Sequence, residues 1–207
     1  MSKKQKFYVV WEGRKTGVFT TWADCSAQVN GYPEAKYKSF PNRAFAEKAF
    51  QGKYEDYTRQ NVKSQAWLFA VDGPIVESYS VDAACSGNPG IVEYRGVHTK
   101  TGKEIFRQGP FAQGTNNVGE FLALVHALAL FKERGDGTSI YSDSRIAMSW
   151  VRKKKCKTNL KPTKKNTKIF KLIEKAETWL GENEYTNKII KWDTKAWGEI
   201  PADFGRK

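Results

Sequence analysis

Hydrophobic and polar positions first alternate with a period of two. KFYVVWE (6–12) and GVFTTW (17–22) are rich in aromatic and β-branched residues and predict two short strands, with Gly13 to Thr16 as the turn. A helical pattern starts at Asp24 and runs through Ala27 and Val29 to a turn at GYP. AKYKSF then predicts a third strand, and NRAFAEKAF a helix with Asn42 as N-cap. These elements make a small α/β module over residues 1–50. From Gln51 to Asp72 the periodicity fades into polar residues, which predicts a linker over 51–72. Within it WLFA (67–70) is an apolar exception suited to docking on a domain.

A second module occupies 73–207. IVESYSVDAA, from Ile75, alternates as a strand and runs into the turn sequence CSGNPG; IVEYRGVHT and EIFRQGPFA continue an antiparallel meander. Thr115 caps a long helix from Asn116, in which Phe121, Leu124, Val125, Leu128 and Phe131 recur at helical spacing until Gly135 stops it. Strand SIYS, helix SRIAMSWVRK, a helix NTKIFKLIEKAETWL ending at Gly181, and strand KIIKWD follow. The expected class is α/β, a mixed five-stranded sheet flanked by helices.

Composition adds a partner class. The chain has 207 residues, 40% of them apolar, enough for a packed core, and a formal net charge of +13. Such a positive field attracts polyanions, nucleic acid above all. Cys25, Cys85 and Cys156 are widely spaced and form no CxxC pair, so reduced thiols are expected. MSKKQKFYVVWEG lacks the apolar stretch of a signal peptide, and no segment approaches a membrane span. A cytoplasmic monomer without a membrane partner is the expectation.

Four carboxylates stand in short signatures: Asp82 in SVDAACSGNPG, Glu120 in TNNVGEFLAL, Asp143 in IYSDSRIA and Asp203 in EIPADFGRK. Mg²⁺ and Mn²⁺ prefer carboxylate oxygen and water, and a pair of them serves both the attacking and the leaving oxygen of a phosphodiester. For these acids to meet, the first and fourth strands must be neighbours. CSGNPG taken alone reads as an ordinary tight turn.

With these pieces in order, the second module resembles type 1 ribonuclease H, and the first, through KFYVVWEGRKTGVF, TTWADCSAQV and GYPEAKYKSF, resembles the hybrid-binding domain often fused ahead of it. The resemblance implies cleavage of the RNA strand of RNA/DNA hybrids to 5′-phosphate and 3′-hydroxyl ends with two Mg²⁺, or Mn²⁺, per site. Asp82 would bridge both ions, Glu120 and Asp143 would complete the leaving-group site, and Asp203 would serve the site that activates water. The RNA strand would be read through backbone near Cys85 and Gly87 and side chains Asn88, Asn116 and Asn117, while Thr115 and Asn117 would grip a DNA phosphate. In the first module Tyr8, Trp22 and Tyr37 would contact DNA sugars, with Trp22 and Tyr37 partly exposed, and Lys36 and Lys38 would meet phosphates. Ser39 departs from the basic pair common there. Weaker binding of double-stranded RNA is also implied.

Other positions stay open on sequence alone. Glu199 matches an acidic residue near the water-activating metal in one bacterial subgroup, and is equally a surface residue. Asp193 stands where many relatives keep a histidine, ten residues before the last acid; His126, in ALVHALAL, reads as packed in its helix. Residues 152–168 hold nine basic residues and no acid, either a clamp on the hybrid or a solvated loop. The few residues after Asp203 imply a last helix missing or reduced to a tail. A non-catalytic hybrid or double-stranded RNA binder would show a lost acid, and none is lost; a transposase or resolvase of the same fold would not be expected to carry the first module.

Overall fold

The computed structural model describes residues 5–40, 43–57 and 73–205. The chain divides into two compact units, residues 1–73 and 74–207.

The first unit is built on a three-stranded antiparallel sheet of order β2-β1-β3, from β1 (Phe7–Glu12), β2 (Gly17–Phe19) and β3 (Lys36–Phe40). Helix α1 (Trp22–Val29) begins two residues earlier than the periodicity suggests, because Thr21 accepts from the Asp24 amide at 3.1 Å and donates to its carboxylate at 2.6 Å. Helix α2 spans Arg43–Gln51; the N-cap expected at Asn42 lies outside the described residues, as does WLFA. Pairing sets the two faces. Val9 lies opposite Lys38 and Phe7 opposite Phe40 on one face; Val10 lies opposite Tyr37 and Tyr8 opposite Ser39 on the other. Phe45, Ala46 and Ala49 of α2 close the first face, and Cys25 and Val29 of α1 close the second. Residues 51–57, expected to begin a linker, belong to this packing: Tyr57 stacks on Trp11 at 5.8 Å, and the Trp11 indole N–H donates to the carbonyls of Ala49 and Gly52. Aromatic burial decides that boundary, since the polar residues between hide it from periodicity.

The second unit carries a five-stranded mixed sheet of order β6-β5-β4-β7-β8. Its strands are β4 (Tyr79–Gly87), β5 (Gly90–His98), β6 (Glu104–Gly114), β7 (Ile140–Ser142) and β8 (Ile189–Lys191). β4, β5 and β6 form the expected antiparallel meander, whereas β4 with β7 and β7 with β8 run parallel. β4 starts at Tyr79 rather than Ile75 because the Ile75 amide donates to the Tyr141 hydroxyl and Ser78 Oγ donates back to the Ile75 carbonyl. Helix α3 (Asn116–Glu133) packs on the sheet with Phe121, Leu124, Leu128 and Phe131 fully buried, and Gly135 follows it at φ +65°. Helices α4 (Arg145–Arg152) and α5 (Thr167–Glu182) complete the core with Ala147, Val151, Ile169 and Ile173. α5 runs one residue past Gly181, to a C-cap at Asn183 whose amide donates to the Trp179 carbonyl. A short helix that periodicity does not announce, α6 (Thr194–Trp197), follows β8. The three cysteines are free thiols. No helix among the described residues is long and apolar enough to cross a membrane.

Candidate active site

The parallel register Ser80↔Tyr141 of β4 and β7, continued by two residues on each chain, sets Asp82 beside Asp143. Glu120 joins them from the first turns of α3, whose capping Thr115 accepts from the Val118 amide. Close approach of helix to sheet makes this meeting possible. A Cβ on Gly119 would lie 2.7 Å from the Ala83 Cβ and 2.8 Å from Val92 Cγ1, so only glycine lets α3 settle there. On the other side, Ser142 accepts from the Ser144 amide and Ser144 caps α4 through the Ala147 amide, which fixes the turn that carries Asp143.

Carboxylate oxygens of Asp82, Glu120 and Asp143 all lie within 4.8 Å of one another. Asp82 and Glu120 are buried, and Asp143 is partly so. Burial, then the neighbouring Asp143, drives the Asp82 carboxyl up to about 8; Glu120 and Asp203 push the same way, against a backbone hydrogen bond from Ala83. Glu120 and Asp143 are raised as well, burial first. Among the described residues, Glu120 Oε2 and Asp143 Oδ1 are buried without a hydrogen-bond partner. Asn116 Nδ2 donates to the other Glu120 oxygen at 2.9 Å. Lys191 of β8, opposite Ser142 in the ladder, favours the ionised forms of both Asp143 and Glu120. Sequence reasoning missed this lysine; the period-two pattern of KIIKWD beside SIYS was its only signal.

Asp203 lines the same cavity of about 460 Å³, with Cys85, Ile91, Asn116 and Phe204. Its Oδ1 accepts from the Gly205 amide at 2.7 Å. Glu199 lies close enough to raise Asp143 electrostatically. Asp193 is a helix cap, accepting from the amides of Lys195 and Ala196 at 3.0 and 3.1 Å. His126 is half-buried and stacks on Phe106 at 4.1 Å, as a packed residue should.

The remaining nucleic-acid candidates divide at the start of α3. Cys85 and Asn116 face the acids, whereas Asn88, Thr115 and Asn117 line a second cavity of about 510 Å³ with Gln113, Trp150, Lys157 and Lys161. Gly87, at φ +116°, and Gly90 make the turn before it; a Cβ on Gly90 would meet the Ser86 carbonyl at 2.3 Å. Much of the basic segment is tied down by hydrogen bonds and an ion pair. Asn166, buried, donates to the Lys161 carbonyl and accepts from the Thr163 amide, while Glu177 accepts from the Cys156 amide and pairs with Lys155. Gln113, Trp150 and Asn166 were not anticipated at this cavity.

In the first unit Tyr8, Trp22 and Tyr37 form a continuous aromatic row, with centroids 5.5 and 5.9 Å apart. Trp22 and Tyr37 are 47% and 40% exposed, as expected. Lys36 and Lys38 do not share that surface. Strand alternation puts them on the α2 side of the sheet, where Lys36 pairs with Glu12 at 2.7 Å and Glu55 at 3.4 Å and Lys38 donates to the Tyr57 carbonyl.

Residues 76–192 match the family model described as RNase H, and residues 6–50 match that described as Ribonuclease H1 N-terminal domain. The chain belongs to the RNase H family. Its two domains in this order are the arrangement of a type 1 RNase H, and the mixed five-stranded sheet with flanking helices is the RNase H-like fold. A Ribonuclease H of Nitratidesulfovibrio vulgaris is 42% identical over 73 residues, 35% of this chain and 46% of that protein. One of Bartonella quintana is 35% identical over 107 residues, 48% of this chain and 68% of that protein. Among solved structures, an RNase H1 from Halobacterium salinarum aligns at 21% identity and a TM-score of 0.37 over 56% of this chain and 83% of that one. The chain spans about half the length of the first of these relatives.

Proposed function

We propose that the protein is an endonuclease that hydrolyses the RNA strand of RNA/DNA hybrids to 5′-phosphate and 3′-hydroxyl ends, acting as a monomer with two divalent cations per site. The observation that carries this reading is the cluster of three sunken carboxylates, within 4.8 Å of one another, in a chain of the RNase H family. The donor set fits hard cations. It is all carboxylate oxygen, two of its buried oxygens have no hydrogen-bond partner among the described residues, and like charges in one cleft call for a positive counter-charge. Asp82, Glu120, Asp143 and Asp203 would hold Mg²⁺, or Mn²⁺. When bound, such ions stabilise charge on the attacking and leaving oxygens of a phosphodiester and lower the pKa of water.

The chain's own groups supply orientation. Asn116 holds one oxygen of Glu120, whose carboxylate lies within 4.8 Å of those of Asp82 and Asp143. Lys191 keeps Asp143 and Glu120 nearer their ionised forms, and Glu199 adds negative charge as an auxiliary. Only RNA carries a 2′-hydroxyl, which backbone near Cys85 and Gly87 and side chains Asn88, Asn116 and Asn117 would recognise beside the acids. Thr115 and Asn117, at the N-terminus of α3 where amides converge, would bind a phosphate of the DNA strand in the second cavity. The aromatic row Tyr8, Trp22 and Tyr37 would stack on sugars of the hybrid, and double-stranded RNA would bind more weakly.

The test is a cleavage assay with Mg²⁺ or Mn²⁺ on a hybrid, double-stranded RNA and double-stranded DNA, beside Asp143→Asn. Selective cutting of the hybrid's RNA strand, lost in the variant with hybrid binding intact, is the expected result. Equal cleavage of all three duplexes, or full activity in the variant, overturns the reading; hybrid binding without cleavage would make the protein a non-catalytic binder.

A further inference from the structure

Asp203 has an unusual support. It lies in an irregular segment after α6, where no strand or helix supplies partners for the backbone. Ile200 and Ala202 are buried, so the segment is pressed into the protein while the carbonyls around Asp203 still need donors. One side chain meets that need. Arg95 Nε donates to the Ala202 carbonyl at 2.8 Å and its Nη2 to the Asp203 carbonyl at 2.6 Å. The Phe204 ring then lies 4.8 Å from the Arg95 guanidinium and 5.1 Å from that of Arg107.

The register explains why this arginine and not another. Asp82 faces Arg95 across β4 and β5, and Arg95 faces Arg107 across β5 and β6, so the three side chains form one row over the sheet. Glu104 lies 3.6 Å from Arg95, and Glu93 3.6 Å from Arg107, which steadies both guanidinium groups. The row that sets Asp82 therefore also carries the anchor for Asp203. Beyond the anchor the chain turns tightly, with the Asp203 amide donating to the Ile200 carbonyl and the Gly205 amide to the Asp203 carboxylate.

We propose that Arg95 is a positioning residue: its planar fork, bonded to two successive carbonyls, sets Asp203 in register with Asp82, Glu120 and Asp143. This deepens the nuclease reading and rests on it for its effect on turnover. Two donors held rigidly in one plane are the essential property, and charge alone does not suffice. Lysine at this position keeps the charge but offers a single nitrogen that cannot reproduce the fork.

The experiment compares full-length Arg95→Lys and Arg95→Met with wild type by hydrogen exchange, calorimetric Mn²⁺ titration and steady-state cleavage of a hybrid. Both variants should exchange amides of the 200–205 segment at least about tenfold faster with β4 and β5 unchanged, and bind Mn²⁺ more weakly. Turnover should drop about 10- to 100-fold, the scale of an ångström-sized misplacement, with KM for hybrid unaltered. If Arg95→Lys matches wild type in exchange and turnover, the charge suffices and the fork has no role. Faster exchange throughout the sheet would reduce Arg95 to a general structural residue. Should wild type fail to cut hybrids, the nuclease reading falls, while exchange and Mn²⁺ binding still decide the role of Arg95.

Discussion

At the scale of single residues, Asp82 joins chemistry to stability. Its carboxyl rises from the usual 3.8 to about 8 in the folded, metal-free chain, so the folded state holds its proton more tightly than the unfolded state. The resulting stabilisation is complete below about pH 4 and is lost as pH rises through about 8. Glu120 and Asp143 are shifted the same way. Metal-free protein in EDTA should therefore melt at a lower temperature at pH 8 than at pH 5, and Mg²⁺ should restore more at pH 8; calorimetry that found no trend would contradict the cluster's electrostatics. Glycines give a second contrast. Gly119→Ala forces a methyl against Ala83 and Val92, and should cost about 1–3 kcal/mol in urea unfolding. Displacing Glu120, it should also slow cleavage about 10²-fold. Gly181→Ala meets nothing within 4 Å in α5, and should instead stabilise by up to about 1 kcal/mol.

At the scale of elements, α6 and the residues around it form a bracket for the last acid. Trp192 is fully buried against Tyr141 and Trp197, and its indole N–H donates to the Gly198 carbonyl at 2.9 Å. Asp193 satisfies two amides at the start of α6. Asp193→Ala should lower stability by about 0.5–2 kcal/mol in urea unfolding. It should also raise the Mn²⁺ concentration needed for half-maximal cleavage without changing hybrid affinity; an unchanged metal requirement would separate the bracket from the site. None of this bracket was visible in the sequence, because a four-residue helix has no periodicity and its ties run to Tyr141, some fifty residues away. Arg95 and Lys191 escaped for a related reason: ladder registers, not neighbours in sequence, bring them to the acids. Three of the four acids sit on strong local signals, an alternating strand for Asp82, a Thr115 cap for Glu120 and a strand end for Asp143, whereas Asp203 lies in an irregular segment and stood out only through its short signature. Lys36 and Lys38, which the resemblance assigns to phosphates, are set by period-two alternation on the face away from Tyr37.

For the whole molecule the net charge of +13 is divided between both units, with nine basic residues against four acids in 1–50 and nine against none in 152–168. Two units that both grip one polyanion by a covalent link bind it with the second contact made intramolecular, which can raise avidity 10²- to 10⁴-fold without new contacts. Residues 74–207 hold their own core, so the shortened chain should fold. Removing residues 1–73 should then raise KM for a long hybrid by about tenfold or more while leaving turnover at saturation nearly unchanged. Salt separates this from loss of shape complementarity. Each phosphate neutralised by a lysine or arginine contributes a slope of about −0.9 to log affinity against log salt for a B-like duplex, so the full chain should lose affinity more steeply than 74–207 between about 50 and 200 mM salt. Equal slopes for the two proteins would mean that the first unit contributes no phosphate contacts. That outcome would leave the row of Tyr8, Trp22 and Tyr37 as its only hold on the hybrid, consistent with lysines already engaged by Glu12, Glu55 and the Tyr57 carbonyl.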